Sequence, residues 1–319
     1  MTNEKWSLLR GRPAVKVGFI QTSPILGKTR QNVASAIRRA RRVRADLLVF
    51  PELFNTGYLL GSRMRALALA EPLSHSPTLE SLAAYSRETG TRVVAGIAER
   101  EDRPVEESPP RACRRNRART LTHGTRSRRT GWDDANAFPR VYNSAVLVGP
   151  EGLIGVYRKI HLFMREKDWF DAGEARLRVF DIGIAKIGLM ICFDWLFPEA
   201  ARTLALAGAD IICHPSNLVL PFCQDAMITR SIENRVFTIT ANRIGTERRR
   251  SMVCTFTGGS QLTDPSGRRI LAASVDAECA AVAEIDPRAA RDKQITPRNS
   301  VFADRRPATY DLRNREPSS

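Results

Sequence analysis

Long apolar runs are missing from this 319-residue sequence, and no stretch approaches the length that a membrane-spanning helix requires. The first twenty residues carry several charges and lack the apolar stretch of a signal peptide. The six cysteines form no Cys-x-x-Cys pair and show no metal-ligand spacing; they are Cys113, Cys192, Cys213, Cys223, Cys254 and Cys279. We therefore expect a cytoplasmic protein with reduced thiols, no bound metal and no contact with a membrane.

Acidic residues are scarce relative to basic ones, since 50 lysines and arginines face 34 acidic side chains and leave a net charge of +16. Half of that excess lies in residues 111–129, which hold eight arginines and no acid. The segment lacks apolar periodicity, so we expect a disordered, solvated insertion at 100–140. A nucleic-acid-binding arm is a weaker alternative, because no aromatic side chains are interleaved for base stacking. A third hypothesis is that 104–139, rich in Arg, Pro, Ala and Ser, comes from a GC-rich gene read out of frame; resequencing the gene would test it.

The rest of the chain alternates short apolar runs with amphipathic stretches, which is typical of an α/β protein with a layered, mixed sheet. The predicted strands are 14–21, 46–50, 92–99, a hairpin over 143–159, 185–192, 209–216, 237–245, 259–271 and 279–286. The predicted helices are 30–43, 78–90, 198–208 and 226–237, and Gly90 is a predicted helix stop. We expect a single domain over residues 1–319, with a core of about 14–310.

Three predicted strands end in side chains that can carry chemistry, namely Glu52, Lys159 and Cys192. A carboxylate at a buried strand end is costly unless it is paired or takes part in a reaction. The simpler interpretations are a salt bridge, a solvated charge and a structural cysteine. If the three strand ends meet at one sheet edge, the thiol can attack a substrate, the carboxylate can take its proton, and the ammonium can stabilise the resulting anion. We expect Lys159 and a helix that begins after Cys192 to lower the pKa of the thiol.

Three segments carry a resemblance to a known family: VFPELFNTGY, YRKIHLFMREKDWFDAG and MICFDWLFPEAAR. In order and approximate spacing they resemble the signature blocks of the nitrilase superfamily of carbon–nitrogen hydrolases. The resemblance extends from about residue 14 to about residue 310, apart from the insertion, and is greatest to the thermoactive aliphatic nitrilase group. It implies an α/β fold with a four-layer α-β-β-α sandwich, and a homodimer or larger homo-oligomer.

The resemblance also implies roles for residues of the site. Cys192 would be the nucleophile, Glu52 the general base and Lys159 the group that stabilises the oxyanion. The backbone N–H of Phe193 would complete the oxyanion site, and Glu166 would orient Lys159 and the substrate. Three further residues would line the substrate pocket: Trp195, Asn217 and Leu218.

The implied reaction converts a nitrile to a carboxylic acid and ammonia through a thioimidate and then a thioester on the cysteine. It needs no metal and no organic cofactor, because protein groups supply the nucleophile, the base and the anion site. An amidase that uses the same residues on small aliphatic amides is the alternative. A papain-like thiol hydrolase that pairs Cys192 or Cys213 with His214 is less favoured, because neighbours such as Cys213 and His214 point to opposite faces of a strand. A nucleic-acid-binding protein acting through 111–129 is the remaining alternative.

Overall fold

Two mixed β-sheets occupy the centre of the molecule in the computed structural model, which describes residues 14–102 and 139–312. In chain order the strands are β1 (Val15–Gln21), β2 (Leu47–Val49), β3 (Glu71–Pro72), β4 (Arg92–Arg100), β5 (Val141–Gly149), β6 (Gly152–Arg158), β7 (Val179–Asp181), β8 (Lys186–Leu189), β9 (Ile211–Pro215), β10 (Phe237–Ala241), β11 (Thr246–Arg249), β12 (Met252–Thr255), β13 (Gln261–Thr263), β14 (Arg269–Ala272), β15 (Cys279–Ile285), β16 (Gln294–Thr296) and β17 (Asn299–Ser300). The α-helices are α1 (Thr29–Ala40), α2 (Arg63–Leu69), α3 (Pro77–Thr89), α4 (Glu166–Trp169), α5 (Pro198–Leu206) and α6 (Cys223–Asn234).

The two sheets share one plan, in which parallel strands at the centre are flanked by antiparallel strands. The first sheet has the order β15-β1-β2-β4-β5-β6, with β3 added beside β4, and β1, β2 and β4 run parallel. The second has the order β14-β13-β10-β9-β8-β7, with β8, β9 and β10 parallel. Because the carboxyl ends of parallel strands share one edge of a sheet, residues that follow β2 and β8 lie at such edges.

The inner faces of the two sheets form the central core. Val17 and Phe19 of β1 belong to one apolar cluster with Ile187 of β8 and Ile211 of β9. Ile20, the next residue of β1, faces the other way and packs in the cluster that includes α1 and α3. Helix α5 packs on the outer face of the second sheet. The layers are therefore helix, sheet, sheet and helix, which confirms the predicted α-β-β-α sandwich.

Helix α3 shows how local sequence sets an element's bounds. The Ser76 hydroxyl accepts a hydrogen bond from Leu79 N at 3.1 Å, which caps the first turn. At the other end Gly90 adopts φ +74°, and its N–H donates to Ser86 O at 2.8 Å. This left-handed conformation suits glycine, so the predicted stop at Gly90 is confirmed.

Strands β4 and β5 pair as antiparallel neighbours as far as Arg100 and Val141. Glu101 N donates to Arg140 O at 2.9 Å, so the chain leaves and re-enters the sheet at one place. The predicted insertion belongs to this connection. Residues 103–138, with the arginine-rich stretch, lie outside the described residues, and its three interpretations stay open.

The strand predicted over 185–192 is shorter than expected. β8 ends at Leu189, and a 3₁₀ turn occupies Cys192–Leu196 before α5 begins at Pro198. Several short elements had no strong periodic signal in the sequence and were not predicted: α2, α4, β3, β7 and the β11–β12 and β16–β17 hairpins. In the described parts of the chain, no helix is long and apolar enough to cross a membrane.

Candidate active site

Cys192 sits on a sharp turn at the carboxyl edge of the second sheet. Ile191 is still extended, with φ −130°, whereas Cys192 has φ +41° and begins the 3₁₀ turn. A residue other than glycine pays about 1–2 kcal/mol for this left-handed conformation. Two contacts hold the turn: His214 Nε2 lies 2.8 Å from Cys192 O, and Asp194 N donates to Ile191 O at 3.0 Å. The fold therefore stores backbone strain at the thiol, as active sites often do.

Three charged side chains meet next to this turn, although they come from distant parts of the chain. Lys159 Nζ donates to Glu52 Oε1 at 2.8 Å, and it contacts Glu166 at 3.0 Å to Oε1 and 2.8 Å to Oε2. All three side chains are fully buried. One ammonium thus lies between two carboxylates in a dry environment, where electrostatic interactions are strong.

Asn143 of β5 completes the surroundings of Glu52. Its Nδ2 donates to Glu52 Oε1 at 2.6 Å, and its carbonyl accepts from Lys159 N at 2.8 Å. The other carboxylate oxygen, Glu52 Oε2, is buried and has no hydrogen-bond partner among residues 14–102 and 139–312. Glu52 therefore has one oxygen held in place and a second that is available to accept a proton.

The pKa values of Lys159 and Glu166 both depend on burial and on the charges of their neighbours. Burial alone would lower the pKa of Lys159, but Glu166 and Glu52 outweigh it and raise that pKa well above its ordinary value. Burial raises the pKa of Glu166 to about 7, against the opposing effect of Lys159. Lys159 therefore keeps its charge at all working pH values, while Glu166 titrates near neutrality.

The expectation that the pKa of Cys192 is lowered was wrong. Burial raises the pKa of the thiol well above its ordinary value, and the negative charge of Glu52 raises it further. Lys159 and the backbone N–H of Asn217, which donates to the thiol, act in the opposite direction and are outweighed. The expected α-helix does not begin directly after the thiol either, because a 3₁₀ turn occupies Cys192–Leu196 and α5 begins at Pro198. The resting thiol is therefore neutral.

Cys192 opens into a narrow pocket that includes each predicted pocket residue. Its lining consists of Phe163, Cys192, Phe193, Trp195, Asn217, Leu218, Val219 and Leu220. The Asn217 side chain is 2% exposed, and neither its Oδ1 nor its Nδ2 has a partner within the described part of the chain. A larger surface groove lies between α1 and α3 and contains none of the residues of the site.

The structure also places residues at the site that the sequence reasoning missed. Tyr58 is buried, and its side chain lies close to the carboxylates of Glu166 and Glu52. Burial and the neighbouring carboxylates raise its pKa well above the ordinary value. Asn143, described above, is the first residue of the hairpin predicted over 143–159. Tyr58 belongs to the quoted NTGY segment, so its short distance from Glu52 in sequence was an available signal.

The Cys–His alternative does not match the geometry. His214 approaches the carbonyl of Cys192, and burial lowers its pKa, so the imidazole is neutral. Cys213 lies in the sheet–sheet core, and burial raises the pKa of its thiol. Neither thiol forms a hydrogen bond with a histidine in the described ranges. Within the same ranges, no group of three or more His, Cys, Asp or Glu side chains could hold a metal ion.

Comparisons with known proteins point in the same direction as the geometry. A family model described as carbon–nitrogen hydrolase matches residues 16–294. The chain is 40% identical to a nitrilase of Pyrococcus abyssi over 299 residues, covering 93% of this chain and 99% of the relative. It is 30% identical to an (R)-stereoselective amidase of Pseudomonas sp. over 277 residues, covering 85% of each. The crystal structure of a carbon–nitrogen hydrolase from Helicobacter pylori G27 has the same fold, with a TM-score of 0.74 at 22% identity, covering 93% of this chain and 97% of that one.

Proposed function

The chain belongs to the carbon–nitrogen hydrolase family and is a carbon–nitrogen hydrolase, and on that premise we propose that it converts a nitrile to a carboxylic acid and ammonia through a covalent intermediate on Cys192. The observation that carries the proposal is the buried cluster of Glu52, Lys159 and Glu166 beside the strained turn of Cys192. The 40% identity to a nitrilase over nearly the whole chain favours nitriles as substrates.

The first half of the reaction forms the bond to sulfur. Glu52 Oε2 takes the thiol proton as Sγ of Cys192 adds to the nitrile carbon, which yields a neutral thioimidate once the nitrogen is protonated. Lys159 Nζ and the backbone N–H of Phe193 stabilise the charge that develops on the nitrile nitrogen. Because the resting thiol is neutral, proton transfer and attack occur together at the bound substrate.

The second half consists of two additions of water. The first water, activated by Glu52, adds to the thioimidate carbon, and ammonia leaves when the tetrahedral intermediate collapses to a thioester. The second water adds to the thioester carbon, again with Glu52 as the base, and the carboxylic acid leaves as the thiol recovers its proton. The charge of Lys159 stabilises the oxyanion in both steps, and Glu166 holds that ammonium in position.

Amide hydrolysis is the second candidate, and the relative described as an (R)-stereoselective amidase supports it. An amide enters the same path at the tetrahedral intermediate, so the thioester step and the residues are unchanged. The two candidates differ only in the steps before that intermediate: a nitrile first forms the thioimidate and takes up a water, whereas an amide is attacked by the thiol directly.

Ammonia release from a panel of compounds tests the proposal. The panel contains aliphatic dinitriles, an aromatic nitrile, short aliphatic amides and an N-carbamoyl amine. Cys192→Ala is the test variant, and Cys213→Ala is the matched control, because Cys213 is an equally buried thiol on the adjacent strand β9. We expect release from nitriles by the wild type and by Cys213→Ala, with loss in Cys192→Ala.

Each other outcome has a distinct meaning. Release from amides alone would retain the mechanism and replace the nitrile proposal with the amidase. Wild-type turnover by Cys192→Ala would overturn the mechanism itself.

The resemblance also leads us to propose a homodimer or larger homo-oligomer, which light scattering of the purified protein would test.

A further inference from the structure

Asp194 is a buried carboxylate that the proposed reaction does not use. It lies two residues after Cys192 and is fully buried. Its Oδ2 accepts from Tyr157 Oη at 2.8 Å and from Ile191 N at 2.8 Å, and its Oδ1 lies 2.7 Å from His161 Nδ1. A buried carboxylate is costly unless it is paired or hydrogen-bonded, and Asp194 has three such partners.

Two of those partners flank Lys159 in the sequence. Tyr157 lies two residues before the lysine and His161 two residues after it. Ile160 N also donates to Tyr157 Oη, at 3.4 Å. The backbone on both sides of Lys159 is thus tied to the single side chain of Asp194.

The third partner belongs to the nucleophile turn. Ile191 precedes Cys192, and its N–H donates to the same carboxylate. Asp194 N donates back to Ile191 O at 3.0 Å. Cys192, with φ +41°, therefore lies inside a closed loop of hydrogen bonds between Ile191 and Asp194. Asp194 therefore connects the turn that carries the thiol with the segment that carries the ammonium.

His161 forms the accessible end of this connection. Its side chain is 27% exposed, and its ring stacks on Phe197 with centroids 3.6 Å apart and planes 8° apart. Because Nδ1 points at a carboxylate, that nitrogen carries the proton. The ring position is thus determined by one hydrogen bond and one stacking contact, which substitutions can remove separately.

We propose that Asp194 and His161 are positioning residues that set the position of Lys159 relative to Cys192. The inference rests on the proposed function, in which the Cys192 thiol attacks the substrate carbon while the Lys159 ammonium stabilises the charge on the nitrogen or oxygen bonded to that carbon. Displacements of about 1 Å in such a pair cost about 10²-fold in rate. Neither Asp194 nor His161 touches the reacting atoms; each acts through the backbone on either side of the lysine and the cysteine.

Two substitutions of His161 separate the hydrogen bond from the stacking contact. His161→Phe keeps a ring on Phe197 and removes the donor, whereas His161→Asn keeps a donor near the Nδ1 position and removes the ring. We expect His161→Phe to lower kcat about 10²-fold with KM within about threefold of wild type. His161→Asn is expected to retain most of kcat.

A second readout needs no substrate. The pH midpoint for alkylation of Cys192 by iodoacetamide, followed on its peptide by mass spectrometry, reports the charges around the sulfur. Glu52, Glu166 and Lys159 are the charged groups that face it. If Lys159 moves away from the sulfur, its positive charge stabilises the thiolate less. We therefore expect a higher pH midpoint in His161→Phe and in Tyr157→Phe.

Asp210→Asn is the structural control, because this buried carboxylate pairs with Arg291 at the other end of the strands. This substitution should lower the Tm and leave the alkylation midpoint unchanged.

The outcomes separate the two proposals. A wild-type kcat and midpoint in His161→Phe, or an equal loss in His161→Asn, would overturn the positioning role. Activity in Cys192→Ala would overturn the proposed function instead. The alkylation midpoint is measured without substrate, so it tests the positioning role even if the wild type hydrolyses none of the compounds in the panel.

Discussion

At the scale of single residues, the site depends on one carboxylate oxygen without a partner. Glu52 Oε1 is held by Asn143 and Lys159, while Oε2 is buried with no hydrogen bond in the described ranges. Burial and the negative charge of Glu52 raise the pKa of the neighbouring Cys192 thiol. In the proposed mechanism this Glu52 oxygen is the base that takes the proton of the neutral thiol.

The first prediction concerns Glu52→Gln. The amide keeps the shape and the hydrogen bond from Lys159 but cannot take the thiol proton, so kcat should fall by about 10³-fold or more. Steady-state ammonia release measures the loss, and circular dichroism checks that the fold is retained. A folded variant with more than about a tenth of wild-type kcat would contradict the assignment of Glu52 as the base.

The second prediction concerns Glu166 and the pH dependence of stability. Its pKa is raised from 4.5 to about 7 in the folded protein, so the folded state binds a proton that the unfolded state has released. The corresponding stability is present below about pH 4.5 and is lost as the pH rises through about 7. At about 1.4 kcal/mol for each pH unit, the loss is at most about 3 kcal/mol.

Urea unfolding of the wild type and of Glu166→Gln over this pH range measures that loss. The difference in unfolding free energy between the two proteins should decrease as the pH rises from about 4.5 to about 7. A difference that stays constant across the range would show that Glu166 has an ordinary pKa.

At the scale of elements, a buried ion pair links the β11–β12 hairpin to the loop that follows Glu52. Glu247 of β11 accepts from Tyr58 N at 3.0 Å and from Leu59 N at 2.7 Å, and it pairs with Arg243. The Arg243 guanidinium is 1% exposed and also stacks over Phe256 at 4.0 Å. The hairpin thereby holds the loop that places Tyr58 against Glu166.

The third prediction is that Glu247→Ala destabilises the protein by about 3–5 kcal/mol, because it leaves the Arg243 charge buried without its partner. Glu284→Ala is the control: its pair with Lys16 is 62% and 49% exposed and contributes at most about 1 kcal/mol. Denaturant unfolding of both variants decides the matter. Equal effects in the two variants would argue against the structural role of the buried pair.

At the scale of the whole molecule, half of the excess positive charge lies in one connection between two paired strands. The antiparallel pairing of β4 and β5 continues as far as Arg100 and Val141, on either side of this connection. We therefore expect the charge and the fold to be separable features of this chain.

The fourth prediction is that replacing 103–138 with an Asn-Gly turn leaves the Tm within a few degrees of that of the full chain, since loop length contributes little to stability. Any binding to DNA that weakens steeply with salt should disappear with the segment. Fluorescence anisotropy with a short duplex at two salt concentrations measures it. Unchanged DNA binding in the shortened chain would place the binding surface elsewhere.

The sequence by itself predicted an α/β fold with a layered, mixed sheet and the main groups of the site, and the resemblance to the nitrilase superfamily added the four-layer α-β-β-α order. Alternation of apolar runs with amphipathic stretches depends on local periodicity, and this periodicity located the long strands and helices α1, α3, α5 and α6. Glu52, Lys159 and Cys192 were also visible, because each follows an apolar run and lies in a recognisable block. These features depend on neighbouring residues, so they can be predicted without knowledge of contacts between distant parts of the chain.

The tertiary structure alone decided the charge state and the exact geometry of the site. The direction of the thiol pKa depends on burial and on Glu52, which lies 140 residues away in the chain, so local sequence suggested the opposite sign. The φ of +41° at Cys192, the end of β8 at Leu189 and the contacts of Asp194 also arise from distant partners. Desolvation and through-space charge belong to the packed molecule, and only the fold brings the groups together that produce them.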